Sequence, residues 1–178
     1  MGELATLVAA CLARPDVDAE TARALAALGD CAAALDRASP LHVTGSALVV
    51  HRPSRRLLLR YHEQVGGFIQ LGGHADPGEE EPFAVARREA AEESGLRDLT
   101  WEGMPAPAPL SQVVVVEVPG PGAHRHLDFR YLLFTEAPER AVAEHDGAPL
   151  LWVGVDEATG VSTEENLRPL FAAAAASC

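Results

Sequence analysis

The chain has 178 residues, 48% of them apolar, which is enough for one domain with a sizeable core. Its formal charge of −12 argues against a long nucleic acid as partner, because an acidic surface repels phosphate backbones. Every basic side chain except histidine is arginine, which excludes a Schiff-base lysine and a Walker-type phosphate-loop lysine.

Cys11, Cys31 and Cys178 form no CxxC pair, so neither a disulfide framework nor a structural zinc site is expected from them. No apolar run approaches the roughly 18 residues that span a bilayer. The first residues lack a basic stretch and carry Glu3, so they read as a helix and not a signal peptide, and a cytoplasmic location is expected.

In chain order, residues 3–14 and 19–37 predict two helices; in the second, Ala22, Leu25, Leu28, Cys31 and Leu35 recur on one face. Pro15-Asp16 separates them, and Ser39-Pro40 closes a helical extension over residues 1–40. Residues 42–51 and 55–62 predict a hairpin turning at Pro53-Ser54, and 66–73 a short strand ending in paired glycines. A helix follows over 82–94. Strands at 111–118 and 124–134 flank the turn PGPG. A strand within 150–158 leads to a short helix, and 167–176 predicts a last helix. This order predicts an α/β fold, a mixed sheet with helices on its faces.

The segment GGHADPGEEEPFAVARREAAEESGL, residues 72–96, concentrates the chemistry. Glu89, Glu92 and Glu93 stand at i, i+3 and i+4, so three carboxylates share one helix face. Like charges at that spacing destabilise a helix unless something neutralises them, and a hard divalent cation does so. Arg88, four residues before Glu92, suits a carboxylate partner. Phe83, Ala86 and Ala90 on the other face suit packing on a sheet. Gly95 predicts a left-handed cap. Gly72 and Gly73 permit close approach of backbone to a ligand. Clustered glutamates alone would read as a solvated face. With the glycine loop, arginine and cap, they suit transfer of a phosphoryl group to water.

RREAAEESGL preceded by GG resembles the Nudix box. The second half matches at Arg88, Glu89, Ala90, Glu92, Glu93, Gly95 and Leu96. The first half is one residue longer, in the loop Glu79–Pro82, so the upstream glutamate is Glu79 or Glu80. The resemblance covers roughly residues 41–160. It implies an α/β/α sandwich around a mixed sheet, with the Nudix domain at 41–178. It also implies Mg²⁺ or Mn²⁺ held by Glu89, Glu92, Glu93 and the Gly72 carbonyl, catalytic roles for Arg88, Glu92 and Glu93, and a further acid from a later loop: Glu136, Glu139 or Glu144.

Other polar residues leave more open. His74 follows the glycines and suits substrate phosphate, or is an ordinary loop histidine. His124, His126, Asp128 and Arg130 share one strand face by period two. They form a polar strip toward a pocket, with Arg130 as a phosphate clamp, or the face of a solvated edge strand; zinc on His124, His126 and Asp128 is a weaker reading. Trp101, Phe129, Tyr131 and Trp152 read as core.

The expected function is metal-dependent hydrolysis of a nucleoside diphosphate linked to a moiety X, a small-molecule substrate. The alternative is a Nudix-fold sensor that binds such a ligand without turnover, disfavoured because all three helix glutamates are present. An isoprenoid-diphosphate isomerase would need a pocket cysteine, and none lies between residues 32 and 177. A homodimer is the default expectation.

Overall fold

A computed structural model describes residues 2–28, 33–118 and 122–178. Helices α1 (Glu3–Leu12) and α2 (Ala19–Ala27) open the chain. Asp18 caps α2 by accepting from the Glu20 and Thr21 amides, which answers the unpaired N–H groups of a helix start. The expected single helix over 19–37 is shorter: α2 ends at Ala27 and a 3₁₀ turn spans Ala33–Leu35. Cys31 and most of the PGPG turn lie outside the described residues.

Seven strands form one mixed sheet: β1 (Leu41–His51), β2 (Arg56–His62), β3 (Gly67–Ile69), β4 (Leu71–His74), β5 (Leu110–Val118), β6 (His124–Phe134) and β7 (Leu150–Gly154). The path runs β3-β2-β1-β6-β5. β1 pairs in parallel with β6 along its length. Its other edge is shared, with β4 antiparallel over Thr44–Ala47 and β2 antiparallel over Val49–His51. The single strand expected at 66–73 is thus two strands with different partners, divided at Gln70. β7 pairs with β2. β6 lies between β1 and β5, which excludes the edge-strand reading.

Two cores follow from strand alternation. Val43, Ala47, Val49, Leu58, Leu127, Phe129, Tyr131 and Leu133 face α3 (Pro82–Ser94) and residues of α1 and α2. Leu48, Val50, Leu57 and Leu59 face α4 (Ala158–Val161) and α5 (Arg168–Ser177), with Leu170, Phe171 and Ala174 packed against them. This is the α/β/α sandwich. Phe129 and Tyr131 are buried, and Trp101 and Trp152 pack on the first core. Among the described residues, no helix is long and apolar enough to cross a membrane.

Candidate active site

The site is built where β4 hands over to α3. Pro82 occupies the first turn of α3, where its missing N–H costs nothing. Gly95 ends the helix at φ 69°, its N–H donating to the Ala91 carbonyl. The helix lies unusually close to β1: a Cβ at Gly45 would fall 2.8 Å from the Ala86 nitrogen and still nearer the Pro82 carbonyl oxygen. Glycine at 45 therefore sets the height of α3 over the sheet. Phe83 anchors the same helix edge-on to Trp101 and Tyr131, at 5.0 and 5.2 Å between ring centroids.

Arg88 is the hub of the opposite face. Its Nε and Nη2 donate to the two carboxylate oxygens of Glu79 at 3.0 and 2.9 Å. Nη1 donates to Glu89 at 3.0 Å and Glu92 at 2.9 Å. Nη2 also donates to the His74 carbonyl at 2.8 Å. The bidentate pair fixes the loop onto the helix and singles out Glu79, whose carboxyl it holds below the usual range; Glu80 is exposed. The extra residue of the box lies after Glu79 and leaves this pair intact.

Glu93 is buried, at 6% exposure. It accepts from the Gly72 amide at 3.0 Å and pairs with Arg60 at 3.2 Å. Burial outweighs both partners and pushes its pKa up to about 7. Glu89 is also raised, first by burial. The buried Glu93 and the part-buried Glu89, both incompletely compensated, make with the half-exposed Glu92 an all-oxygen donor set that fits Mg²⁺ or Mn²⁺. The backbone leaves them room. A Cβ at Gly73 would fall 2.5 Å from Glu89 Oε1.

Two contributors come from elsewhere in the chain. Arg60 on β2 was not anticipated, although period two from the buried Leu58 puts it on the face toward α3, where a charge needs a partner. Of the three later acids, Glu144 is the one whose charge acts on Glu93. Its loop docks on the end of α3 through the Val142 amide, which donates to the Ser94 carbonyl at 2.8 Å. Glu136 instead directs its amide to Asp98, and Glu139 stands exposed beside Arg140.

Arg130, expected on the β6 strip as a phosphate clamp, is turned into the protein. Arg130 is 2% exposed, and its guanidinium is engaged inside the protein, with Asp128 at 2.7 Å, Gln112 at 3.2 Å and the Asn166 carbonyl at 3.0 Å. Asp128 also accepts from Thr44 at 2.9 Å, Ser46 at 2.7 Å and Gln70 at 3.2 Å. A buried pair so fully hydrogen-bonded ties β1, β5 and β6 together and holds Gln70 between β3 and β4. His74 does not point into open solvent either. It meets His126, with 3.2 Å between Nε2 atoms, and burial first, then neighbouring positive groups, hold both rings down to a pKa of about 4.

A carboxylate-bearing helix, a glycine loop ahead of it and a sheet sandwiched between helices are the features of a hydrolase of diphosphate bonds as a class. The NUDIX domain family model matches residues 41–173: the chain belongs to the Nudix family. No curated protein matches it. Among solved structures it is similar to the dihydroneopterin triphosphate pyrophosphohydrolase of E. coli, at TM-score 0.61 and 16% identity over 79% of this chain and 97% of that one. It is also similar to a NUDIX family hydrolase from Clostridium perfringens, at 0.59 and 19% over 76% and 97%. The C. elegans Ap4A hydrolase in a binary complex matches at 0.57 and 16% over 76% and 96%. At these identities the likeness is one of fold.

Proposed function

We propose that this Nudix hydrolase cleaves the diphosphate linkage of a nucleotide-like small molecule, using a divalent cation held by Glu89, Glu92 and Glu93 with the Gly72 carbonyl. The observation that carries the reading is the buried Glu93, raised to about 7 and placed between Arg60 and the Gly72 amide. When bound, Mg²⁺ or Mn²⁺ supplies charge neutralisation of diphosphate oxygens and acidifies water. Glu93 orients the attacking water and takes its proton; water oxygen bonds to phosphorus as the bridging P–O bond breaks, giving a nucleotide and a phosphorylated X. Arg88 acts as a positioning residue, keeping Glu89 and Glu92 aimed and the Glu79 loop closed. Glu144 supplies the acid from the later loop.

The names of the similar structures, an Ap4A hydrolase and a dihydroneopterin triphosphate pyrophosphohydrolase, support a substrate of the nucleoside or pterin polyphosphate kind. A panel of dinucleoside polyphosphates, nucleotide sugars, oxidised nucleotides and NADH, assayed with Mn²⁺ and with chelator, tests this. Cation-dependent release of a nucleotide is expected. Tight binding of a panel member with no turnover under either cation would favour a sensor.

A further inference from the structure

Four histidines from three strands converge on the sheet face opposite α3: His42 on β1, His74 on β4, and His124 and His126 on β6. The strand registers bring them there. His42 is opposite His126 in the β1–β6 pair, and His74 is opposite Thr44, the next residue of β1 on the same face. One nitrogen from each ring lies within 4.8 Å of all the others.

Their hydrogen bonds do not close among themselves. His42 Nδ1 lies 2.8 Å from the Ser39 carbonyl, and His124 Nδ1 lies 2.9 Å from the Gly122 carbonyl. A carbonyl only accepts, so in each neutral ring Nδ1 carries the proton and Nε2 keeps the lone pair. His42 is 1% exposed and its Nε2 has no partner, an orphan that is costly in a buried site. The Nε2 of His126 sits 3.0 Å from that of His124 and 3.2 Å from that of His74. One N–H on His126 cannot point along both. Lone pairs therefore outnumber protons at the centre of the cluster.

We propose that His42, His74, His124 and His126 form a closed structural site for one zinc-type divalent cation, separate from the carboxylate site of α3. Four imidazoles suit Zn²⁺, whereas Mg²⁺ takes oxygen ligands. With metal–nitrogen bonds of about 2.0–2.1 Å, tetrahedral geometry sets ligand nitrogens about 3.4 Å apart, near the two separations already present. The carbonyls on Nδ1 of His42 and His124 are the outer-shell acceptors that metal-bound histidines ordinarily have. No thiolate takes part. Asp128, the third residue of the zinc reading from sequence, is fully engaged by Thr44, Ser46, Gln70 and Arg130, and His42 and His74 take its place. The ion would brace β4 against β1 and β6, and the His74 carbonyl accepts from Arg88, so the brace supports the loop that Arg88 holds.

The test is zinc stoichiometry on the full chain, stripped with chelator and titrated with Zn²⁺ against a chromogenic competitor in excess Mg²⁺. One tight zinc per chain is expected, with a tetrahedral visible spectrum when Co²⁺ replaces it and a rise in melting temperature on zinc addition. His126→Ala removes the tight site. His124→Gln, at a part-exposed ring that leaves the fold intact, weakens it by more than the roughly tenfold to hundredfold of an outer-shell change and abolishes the thermal shift. Glu93→Gln leaves zinc binding unchanged, which separates this proposal from the hydrolase reading. Zinc held no more tightly by the parent than by His124→Gln, zinc lost in Glu93→Gln, or an octahedral Co²⁺ spectrum overturns it.

Discussion

Replacing Arg88 by Met keeps most of the side-chain length and removes the charge that holds four acceptors. Its two bonds to Glu79 join side chains 23% and 21% exposed, and a charge-assisted pair of that burial contributes about 1.5–3 kcal/mol. The Glu92 bond, to a side chain 52% exposed, adds only about 0.3–0.5 kcal/mol. Glu89 is left beside Glu92 and Glu93 without a counter-charge. We expect a total loss of roughly 3 kcal/mol in chelator, which at about 2–4 °C per kcal/mol for a chain of this size lowers Tm by about 6–12 °C. A divalent cation neutralises the same carboxylates, so Mg²⁺ or Mn²⁺ raises the variant's Tm more than the parent's. Thermal melts with and without cation measure both effects. Equal melting temperatures in chelator, or equal gains on adding cation, would refute the idea that arginine and metal act on one set of carboxylates.

Three further outcomes are expected. Gly45→Ala places a methyl against the backbone of α3, where neither partner can rotate away, so urea unfolding shows a loss of about 1–3 kcal/mol and turnover falls as the glutamates shift with the helix. Arg130→Met strands the buried Asp128 charge and costs about 3–5 kcal/mol, seen as a lower urea midpoint. Glu93 gives a pH signature in the metal-free protein. Its folded pKa, about 7, lies above the usual 4.5, so between those values the folded state holds more protons than the unfolded one. Stability therefore falls as pH rises through that window, by on the order of 3 kcal/mol, and Glu93→Gln flattens the slope; an unchanged slope in the variant would assign the titration elsewhere.

What the sequence carried and what it did not divide along local and distant contacts. α3 was legible to the residue because its signals are local: Pro82 at the start, Gly95 at the cap and carboxylates at helical spacing between them. The β5–β6 hairpin and the core aromatics follow from alternation and composition in the same way. The ambiguity between Glu79 and Glu80 needed the reach of Arg88, which depends on how the loop folds back. The parallel register of β1 on β6 is set by packing across more than eighty residues, and it alone brings His42 to His126 and Thr44 to Asp128. The same register encloses Arg130, which period two assigned to the right face without revealing what would cover it. Arg60 and Glu144 act on Glu93 from a separate strand and a separate loop, so motif spacing gave no sign of Arg60 and did not choose Glu144 over Glu136 and Glu139.

The central claim, that Glu93 acts with a divalent cation on a diphosphate bond, is tested most directly by steady-state kinetics of Glu93→Gln on the best substrate of the panel, across a Mn²⁺ titration. The account predicts kcat reduced by roughly a hundredfold or more, with KM much less affected and no recovery at saturating cation. A variant that turns over at the parental rate at any Mn²⁺ concentration would contradict it.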